Sequence, residues 1–377
     1  MVIRSQQFRI YPNKEQQDSL NMLLTEHRFL YNCALKQRIA AKKISHKTLS
    51  CYDQQKQANN SDLLEFLPHT NAASRQLTLR RLDRTFNNFF RGRKAGRDVG
   101  HPRFKSKNRF RSFEYTYGNG IEIQEGKLRL QNVGWLILRP RPNLESVKCI
   151  RILLKANKWY AQAVYRIEIL TAKNSNPSIG IDLGLLSFIS TSNGEQVKPP
   201  KFYRKVQKYL RRKQRALARC KKGSNRRRKV KLQISRLHEK TANQRKDWNH
   251  KLSRNIVNRY GLICIEDLNV AAMGKNSKLA KSIYDAGWRQ FTFQLEYKAE
   301  SAGSRVVRVN PKNTSQMCSH CYKLPTIKLG SDTRIYHCKW CNYIEDRDIN
   351  AAKNILRLGT SQQAITKENT LCVACIA

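Results

Sequence analysis

Cys318-Ser319-His320-Cys321 and Cys338-Lys339-Trp340-Cys341 are two C-x2-C pairs with sixteen residues between them. Four thiolates at this spacing close a tetrahedral site around zinc and leave no position for water, so the ion they imply is structural. His320 and His337 lie beside these ligands, but four cysteines already saturate the metal. Cys372-Val373-Ala374-Cys375 repeats the spacing with no second pair and is read as part of a tail without a metal role. Cys33, Cys51, Cys149, Cys220 and Cys264 read as core or incidental thiols, and no Cys/His nucleophile pair is indicated.

A second group of residues could do chemistry on phosphate. Asp182 sits inside an otherwise apolar strand, Ser178-Ile179-Gly180-Ile181-Asp182-Leu183-Gly184, where an uncompensated carboxylate costs several kcal/mol. Gly180 and Gly184 share its face at two-residue spacing and leave room for a metal or a sugar-phosphate backbone. Glu266 ends the apolar run that begins at Gly261, and Asp346 and Asp348 precede a helix over Ile349-Asn350-Ala351-Ala352-Lys353-Asn354-Ile355-Leu356. Each acid alone reads equally as a helix cap or a surface salt bridge. Three acids on two strand ends and a helix start can instead converge. Such a set holds two divalent ions about 3.5 to 4 Å apart for phosphodiester hydrolysis, one activating water and the other stabilising the leaving oxygen.

The charge balance names the substrate class. The 377 residues carry 73 Lys+Arg against 27 Asp+Glu, a formal charge of +46, while 40% are apolar and supply a core. A chain this basic calls for a polyanion, of which nucleic acid is the commonest, with an anionic membrane as the weaker alternative. The opening residues lack the apolar centre of a signal peptide, and no apolar run approaches the ~18 residues of a spanning helix. The reading is therefore a soluble, intracellular protein. Between Lys201 and Arg254 the only acids are Glu239 and Asp247. A solvated face normally alternates sign, so Arg211, Arg212, Arg226, Arg227, Arg228, Lys229 and Arg245 are read as part of a phosphate-tracking surface.

The elements that must position these groups follow from periodicity. The first 45 residues read as a strand around Phe8–Tyr11, a Pro12-Asn13 turn and two helices, and Ala72–Phe90 as another helix. Strands follow at Phe113–Tyr117, Ile121–Ile123, Lys127–Leu130, Trp135–Leu138, Cys149–Leu154 and Trp159–Val164, which makes this half a small β domain with inserted helices. A boundary is placed at the polar Lys173–Pro177 segment. Beyond it the Asp182 strand forms a hairpin with Leu186–Ser192 and opens a mixed sheet. Two long basic helices meet at Gly223-Ser224-Asn225, and Gly261–Leu268 is a buried strand.

Taken in order, Gly180-Ile181-Asp182-Leu183-Gly184, Ile265-Glu266-Asp267-Leu268-Asn269, the four cysteines and Asp346-Arg347-Asp348-Ile349-Asn350-Ala351-Ala352-Lys353-Asn354-Ile355 resemble the TnpB (OrfB) proteins of bacterial insertion sequences. The likeness extends to Phe8-Arg9-Ile10-Tyr11-Pro12, Phe29-Leu30-Tyr31-Asn32, Phe89-Phe90 and Gly100-His101-Pro102-Arg103-Phe104-Lys105, and so from residue 1 to about 358. That family comprises RNA-guided DNA endonucleases related to type V CRISPR effectors. The resemblance implies an α/β and α+β multidomain fold: an N-terminal wedge β-barrel with an inserted helical recognition part, and a C-terminal RuvC nuclease domain, ribonuclease H-like, with an inserted zinc ribbon. The implied bounds are 1–176 for the barrel with helices about 14–107, 177–310 for the first nuclease part with its basic helical pair 201–256, 311–344 for the ribbon, 345–358 for the last nuclease part and 359–377 for a disordered tail.

Carried over residue by residue, the catalytic acids fall on Asp182, Glu266 and Asp348. Asp348 is chosen over Asp346 because the family motif sets the acid two residues before the Asn of Asn-Ala-Ala, here Asn350, which leaves Asp346 as a structural neighbour. The chain departs from the family at Tyr322 and Asn342, where glycine usually follows the second cysteine of each knuckle; Asn tolerates the left-handed conformation better than Tyr does. The implied cofactors are two Mg2+, one structural Zn2+ and a guide RNA derived from the transposon end. The implied partner is double-stranded target DNA, bound by a monomeric ribonucleoprotein in the bacterial cytoplasm. The family's use of the N-terminal helices to read target-flanking duplex points to Ser74, Gln76 and Arg80, and Arg103 and Lys105 join the candidate nucleic-acid contacts. Two other classes share this chemistry or surface: a DNA-strand-transferring transposase, and a guided DNA-binding repressor that does not cut.

Overall fold

The computed structural model describes residues 2–46, 48–59, 62–140, 146–169, 174–277, 279–327, 329–330 and 332–374, with side chains of the last helix through 361. Among them no helix is long and apolar enough to cross a membrane. The chain divides into two units, Met1–Ile169 and Leu170–Ala377.

In the first unit β1 (Val2–Ile10) leads into α1 (Lys14–Ile44). A reciprocal cap starts the helix: the Gln16 N–H donates to Asn13 Oδ1 at 2.8 Å and the Asn13 N–H to Gln16 Oε1 at 3.1 Å, satisfying two donors that a helix start leaves open. The expectation of two helices here is corrected to one of 31 residues. Neither glycine nor proline occurs from 14 to 44, and even the polar Glu26 and His27 midway along the helix are buried. Next come α2 (Cys51–Asn59), which sequence reading missed, and α3 (Ala72–Lys94). The remaining strands are β2 (Ser112–Thr116), β3 (Ile121–Gln124), β4 (Lys127–Leu130), β5 (Gly134–Arg139), β6 (Val147–Lys155) and β7 (Lys158–Ile167). They join β1 in one sheet of order β2-β6-β7-β1-β5-β4-β3. Its two outer strands are consecutive in the chain, and the Gly118 N–H donates to Ile121 O at 2.9 Å in the turn between them, so the sheet nearly closes into a barrel. Phe8, Leu20, Leu79, Phe113, Leu128, Leu138 and Ile152 are among the residues that fill its core with the helices.

The second unit opens with β8 (Ser178–Asp182), β9 (Ile189–Thr191) and β10 (Gln196–Val197), followed by the basic helices α4 (Phe202–Ala218) and α5 (Asn225–Arg259) and by β11 (Leu262–Glu266). Then come α6 (Val270–Met273), α7 (Ala280–Ala286), α8 (Trp288–Ser301), β12 (Arg305–Val309), β13 (Ile335–His337), β14 (Ile344–Asp346) and α9 (Arg347–Ala374). Sequence reading assigned nothing to α7, α8 or β12. It also ended the last element near 358, whereas α9 continues to Ala374 through a stretch, 360–374, free of proline and glycine. The sheet order is β10-β9-β8-β11-β12: β8, β11 and β12 are parallel, and β9 returns antiparallel to β8.

All five residues of β11 are buried, as expected of a parallel strand covered on both faces. Alternation along the strands then sorts the side chains. Ile179 and Ile181 of β8, with Ile263 and Ile265 of β11, pack with Ile256 and Val257 of α5 and Phe291 and Leu295 of α8. Leu262 and Cys264 face the other way, onto Ile355 of α9. Gly180, Asp182 and Glu266 occupy the same alternate positions as Cys264, so α9 covers the carboxylate-bearing face.

Gly180 has a different use from the one its spacing suggested. A Cβ built there would stand 2.1 Å from Ala352 O and 2.7 Å from Leu356 N of α9, so the room it leaves is filled by the backbone of that helix rather than by metal or substrate. Gly359 does the same from the helix side, where a Cβ would meet Cys264 Sγ at 2.3 Å. Backbone atoms cannot yield as a flexible side chain would. Gly180→Ala should therefore destabilise the protein by about 3 kcal/mol in urea unfolding. Gly194→Ala, which meets no atom within 4 Å and bears only a φ of +87°, should cost about 1 to 2 kcal/mol.

Candidate active site and metal centre

Asp182 and Glu266 each follow the last paired residues of the parallel β8–β11 ladder, Ile181 and Ile265. They stand side by side at the carboxyl ends of adjacent strands, the usual position for sites in parallel sheets. Asp348 enters from above in the first turn of α9, and its Oδ2 lies 4.0 Å from where a Gly184 Cβ would be. The three acids that the resemblance selected thus lie on neighbouring elements, near enough for Glu266 and Asp348 to act on the charge of Asp182. Burial, then the charges of Glu266 and Asp348, push Asp182 well above the usual carboxylate range. Burial also raises Glu266, against a hydrogen bond from the Thr314 hydroxyl that favours its charged form. Asp348 is raised by burial and by the neighbouring Asp346. Among the described residues no lysine or arginine forms an ion pair with any of the three; Arg347, which offsets Asp182 and Asp348 from a distance, spends its Nη1 on Gly330 O at 2.6 Å. Carboxylates whose charged forms are disfavoured and that have no cationic partner suit divalent cations.

Asp346 does something else. Its Oδ1 accepts from the N–H groups of Asp348 at 2.9 Å and Ile349 at 3.1 Å, and from Gln196 Nε2 at 3.0 Å. It caps the helix that presents Asp348, satisfying donors that the first turn leaves open.

The four cysteines also converge. Their sulfurs all lie within 4.8 Å of one another, with Cys318 Sγ 3.7 Å from Cys341 Sγ and Cys321 Sγ 3.5 Å from Cys338 Sγ. Zinc–sulfur bonds of about 2.3 Å in a tetrahedron require sulfur separations of about 3.8 Å, so the cluster fits a metal ion. Burial opposes ionisation of Cys338, yet hydrogen bonds from the Trp340 and Cys341 backbone and from the other thiols bring it down to about 7. Both knuckles close alike, the Tyr322 N–H donating to Cys318 O at 3.0 Å and the Asn342 N–H to Cys338 O at 2.9 Å. Tyr322 and Asn342 take positive φ values of 63° and 57°, so tyrosine adopts the conformation that glycine usually supplies; the Arg357 guanidinium stacks over its ring at 4.3 Å. His320 instead stacks on Tyr343. The side chains of Cys372 and Cys375 lie outside the described residues.

Sequence reasoning missed the links from this centre to α9. The Asn350 and Asn354 side chains, both buried, donate from Nδ2 to Met317 O at 2.8 and 2.7 Å, and Asn350 Oδ1 accepts from the Ser319 N–H at 2.8 Å. Two asparagines four apart in an otherwise apolar helix were the available signal, since they share one face.

The nucleic-acid candidates separate into exposed or half-buried side chains and ones turned inward. Arg80, Arg103, Arg211, Arg212, Arg226, Arg228 and Lys229 are exposed, while Gln76 and Lys105 are half-buried. Three expectations need correction. Ser74 is fully buried and its hydroxyl donates to Asn71 O at 2.9 Å, so it presents nothing to a base edge. Arg227 donates to Leu217 O at 2.7 Å and Cys220 O at 3.2 Å, closing the end of α4. Arg245 is held by Asp285, through Oδ1 at 2.9 Å and the backbone O at 2.8 Å, and ties α5 to α7.

The chain resembles known proteins over most of its length. Family models described as "Probable transposase", "Cas12f1-like, TNB domain" and "Helix-turn-helix domain" match residues 162–277, 288–355 and 1–46. The last of these segments holds β1 and the single helix α1. A protein of Streptomyces pristinaespiralis named "Putative RNA-guided DNA endonuclease" is 32% identical over 96% of this chain and 91% of its own length. The "Putative RNA-guided DNA endonuclease InsQ" of Escherichia coli K12 is 30% identical over 93% and 91%. The solved structure of the mini-RNA-guided endonuclease CRISPR-Cas_phi3 superposes with a TM-score of 0.51 at 9% identity, covering 95% of this chain and 92% of that one, a likeness of fold.

The raised carboxylates make a prediction about pH. Because the folded state holds Asp182 protonated to higher pH than the unfolded chain does, with its ordinary value of about 4, folding binds protons and stability falls as pH rises above that value. Without added divalent cations, Asp182→Asn should therefore melt higher than wild type at about pH 8, and the advantage should shrink as pH falls toward 4. Melting curves across this range test it, and added Mg2+ should restore wild type relative to the variant.

Proposed function

Because the chain belongs to the TnpB (OrfB) family, we propose that it is an RNA-guided DNA endonuclease that cuts guide-complementary DNA beside a short flanking motif. The observation that carries this reading is the placing of Asp182 and Glu266 at the ends of adjacent strands of a mixed five-stranded sheet, with Asp348 near enough to act on Asp182, in a chain of +46 charge. In this reading the second unit is a RuvC nuclease of ribonuclease H-like fold and the four-cysteine segment its zinc ribbon. The nearly closed sheet of the first unit is the wedge barrel, with α1 to α3 as the inserted recognition part.

Two Mg2+ held by Asp182, Glu266 and Asp348 would activate water and stabilise the leaving oxygen. The rest is done by the chain's own residues. The cap from Asp346 sets the helix start, so Asp348 meets its partners without searching. Gly180 lets α9 come close enough to exclude water from the same face. Exposed cations of α4 and α5, among them Arg211, Arg212, Arg226, Arg228 and Lys229, are suited to track the phosphates of a guide–target heteroduplex, whose sequence is read by base pairing. Gln76 and Arg80 on α3 are the polar groups left to read the target flank, and Arg103 and Lys105 are left for backbone contacts.

Single replacement of Asp182, Glu266 or Asp348 by Ala should reduce cleavage of guide-matched DNA to background while binding stays within about twofold, since each acid acts on the reaction rather than on the grip. Asp346→Ala removes a cap worth about 1 kcal/mol, so its cleavage rate should stay within about tenfold of wild type. Normal cutting by Asp348→Ala overturns the site. Joining of labelled donor DNA to the target would indicate a transposase, and RNA-dependent binding without cleavage a repressor.

Elemental analysis should find about one zinc per chain, lost when Cys338 and Cys341 are both changed to Ser. The same double change should speed amide hydrogen exchange in residues 347–356, because Asn350 joins the first knuckle to that turn. Protein that contains no zinc, or keeps it in the double variant, contradicts the ribbon.

A further inference from the structure

Glu266 lines a cavity of about 240 Å³ together with Leu183, Asn269, Trp288 and Arg289, and its Oε1 accepts the Thr314 hydroxyl from the other side. That hydroxyl has a single proton. Its second acceptor within reach is Pro311 O at 3.0 Å, and an ionised carboxylate is the stronger of the two.

Thr314 is in no position to turn away. It is buried, and as a β-branched residue it has few side-chain rotamers. Its backbone carbonyl accepts from Asn354 Nδ2 at 3.0 Å. The same Nδ2 donates to Met317 O, where Asn350 Nδ2 also donates, at 2.7 and 2.8 Å. The loop between β12 and the first cysteine knuckle is thus pinned to α9 at both ends of this short stretch. One helix therefore sets two carboxylates, Asp348 on its own first turn and Glu266 through the Thr314 hydroxyl.

We propose that Thr314 is the positioning residue of Glu266: its hydroxyl holds one carboxylate oxygen so that the other is left for a divalent cation. This rests on the two-ion reading of the three acids. Metal-ligating carboxylates are commonly held by such outer partners, and losing one costs about 10- to 100-fold in metal affinity or activity. Thr314→Val keeps the shape and removes the donor, whereas Thr314→Ser keeps the donor.

The test is Mn2+ binding to the protein–RNA complex without target DNA, followed by electron paramagnetic resonance, with the Glu266→Gln complex as the baseline for ions bound by RNA. Melting temperatures and the Mg2+ concentration giving half-maximal cleavage are measured on the same samples. Thr314→Val should weaken the Glu266-dependent Mn2+ binding by about 10-fold or more and raise the half-maximal Mg2+ concentration in step, while Thr314→Ser stays within about threefold of wild type. If Thr314→Val does not fold, Thr314→Ala must show the same weakening. Wild-type Mn2+ binding in the Val variant, or equal loss in Val and Ser, overturns the proposal. Normal cleavage by Glu266→Gln would instead overturn the underlying two-ion reading.

Discussion

The carboxyl end of β8 carries Asp182, and the element that covers this face of the sheet, α9, reaches it only because Gly180 lets the Ala352 carbonyl come to 2.1 Å from the place of a missing Cβ. Everything at the site depends on that approach. It seals the face bearing Asp182 and Glu266, sets Asp348 over them, and aligns Asn350 and Asn354 with the loop that runs to the cysteines. A side chain at Gly180 would lift the helix and separate all of these together. The desolvation that raises the acids follows from the same closeness, which makes the site costly when empty of cations and receptive to them.

The cysteine cluster is joined to this arrangement by amide side chains rather than by apolar packing. Asn350 and Asn354 are buried, and a buried amide is stable only when its partners are in place. Their bonds to Met317, Ser319 and Thr314 fix the register of the first knuckle against the helix. Whatever orders the knuckle therefore also orders the turn carrying Asp348. The cysteine cluster and the turn carrying Asp348 are coupled through two residues that have no charge of their own.

Beyond the site, the excess of cations is not uniform in what it does. Arg227 and Arg245 look like their neighbours in sequence, but their guanidinium groups close a helix end and join two helices. Arg211, Arg212, Arg226, Arg228 and Lys229 remain exposed. The exposed group is suited to a salt-dependent attraction for phosphate, while the engaged pair serves contacts within the protein.

Sequence alone determined the periodic elements and the chemistry of the groups they carry. The six strands from 113 to 164, the break between α4 and α5 and the burial of β11 were legible because alternation, glycine punctuation and unbroken apolar runs are local properties. The four-cysteine spacing was legible for the same reason, and order along the chain, matched to a known family, selected Asp182, Glu266 and Asp348. What was not legible depended on partners distant in sequence. That α1 is one helix follows from burial of Glu26 and His27 against residues brought in by later elements, and the engagement of Ser74, Arg227 and Arg245 depends on where their acceptors fold. Only the tertiary structure decided that Gly180 faces a helix rather than a ligand, that Asp346 caps while Asp348 lies beside Gly184, and that Thr314 meets Glu266 across 48 residues of chain. Residue type limits what a group can do, but in a close-packed interior the nearest atoms decide which of those things it does.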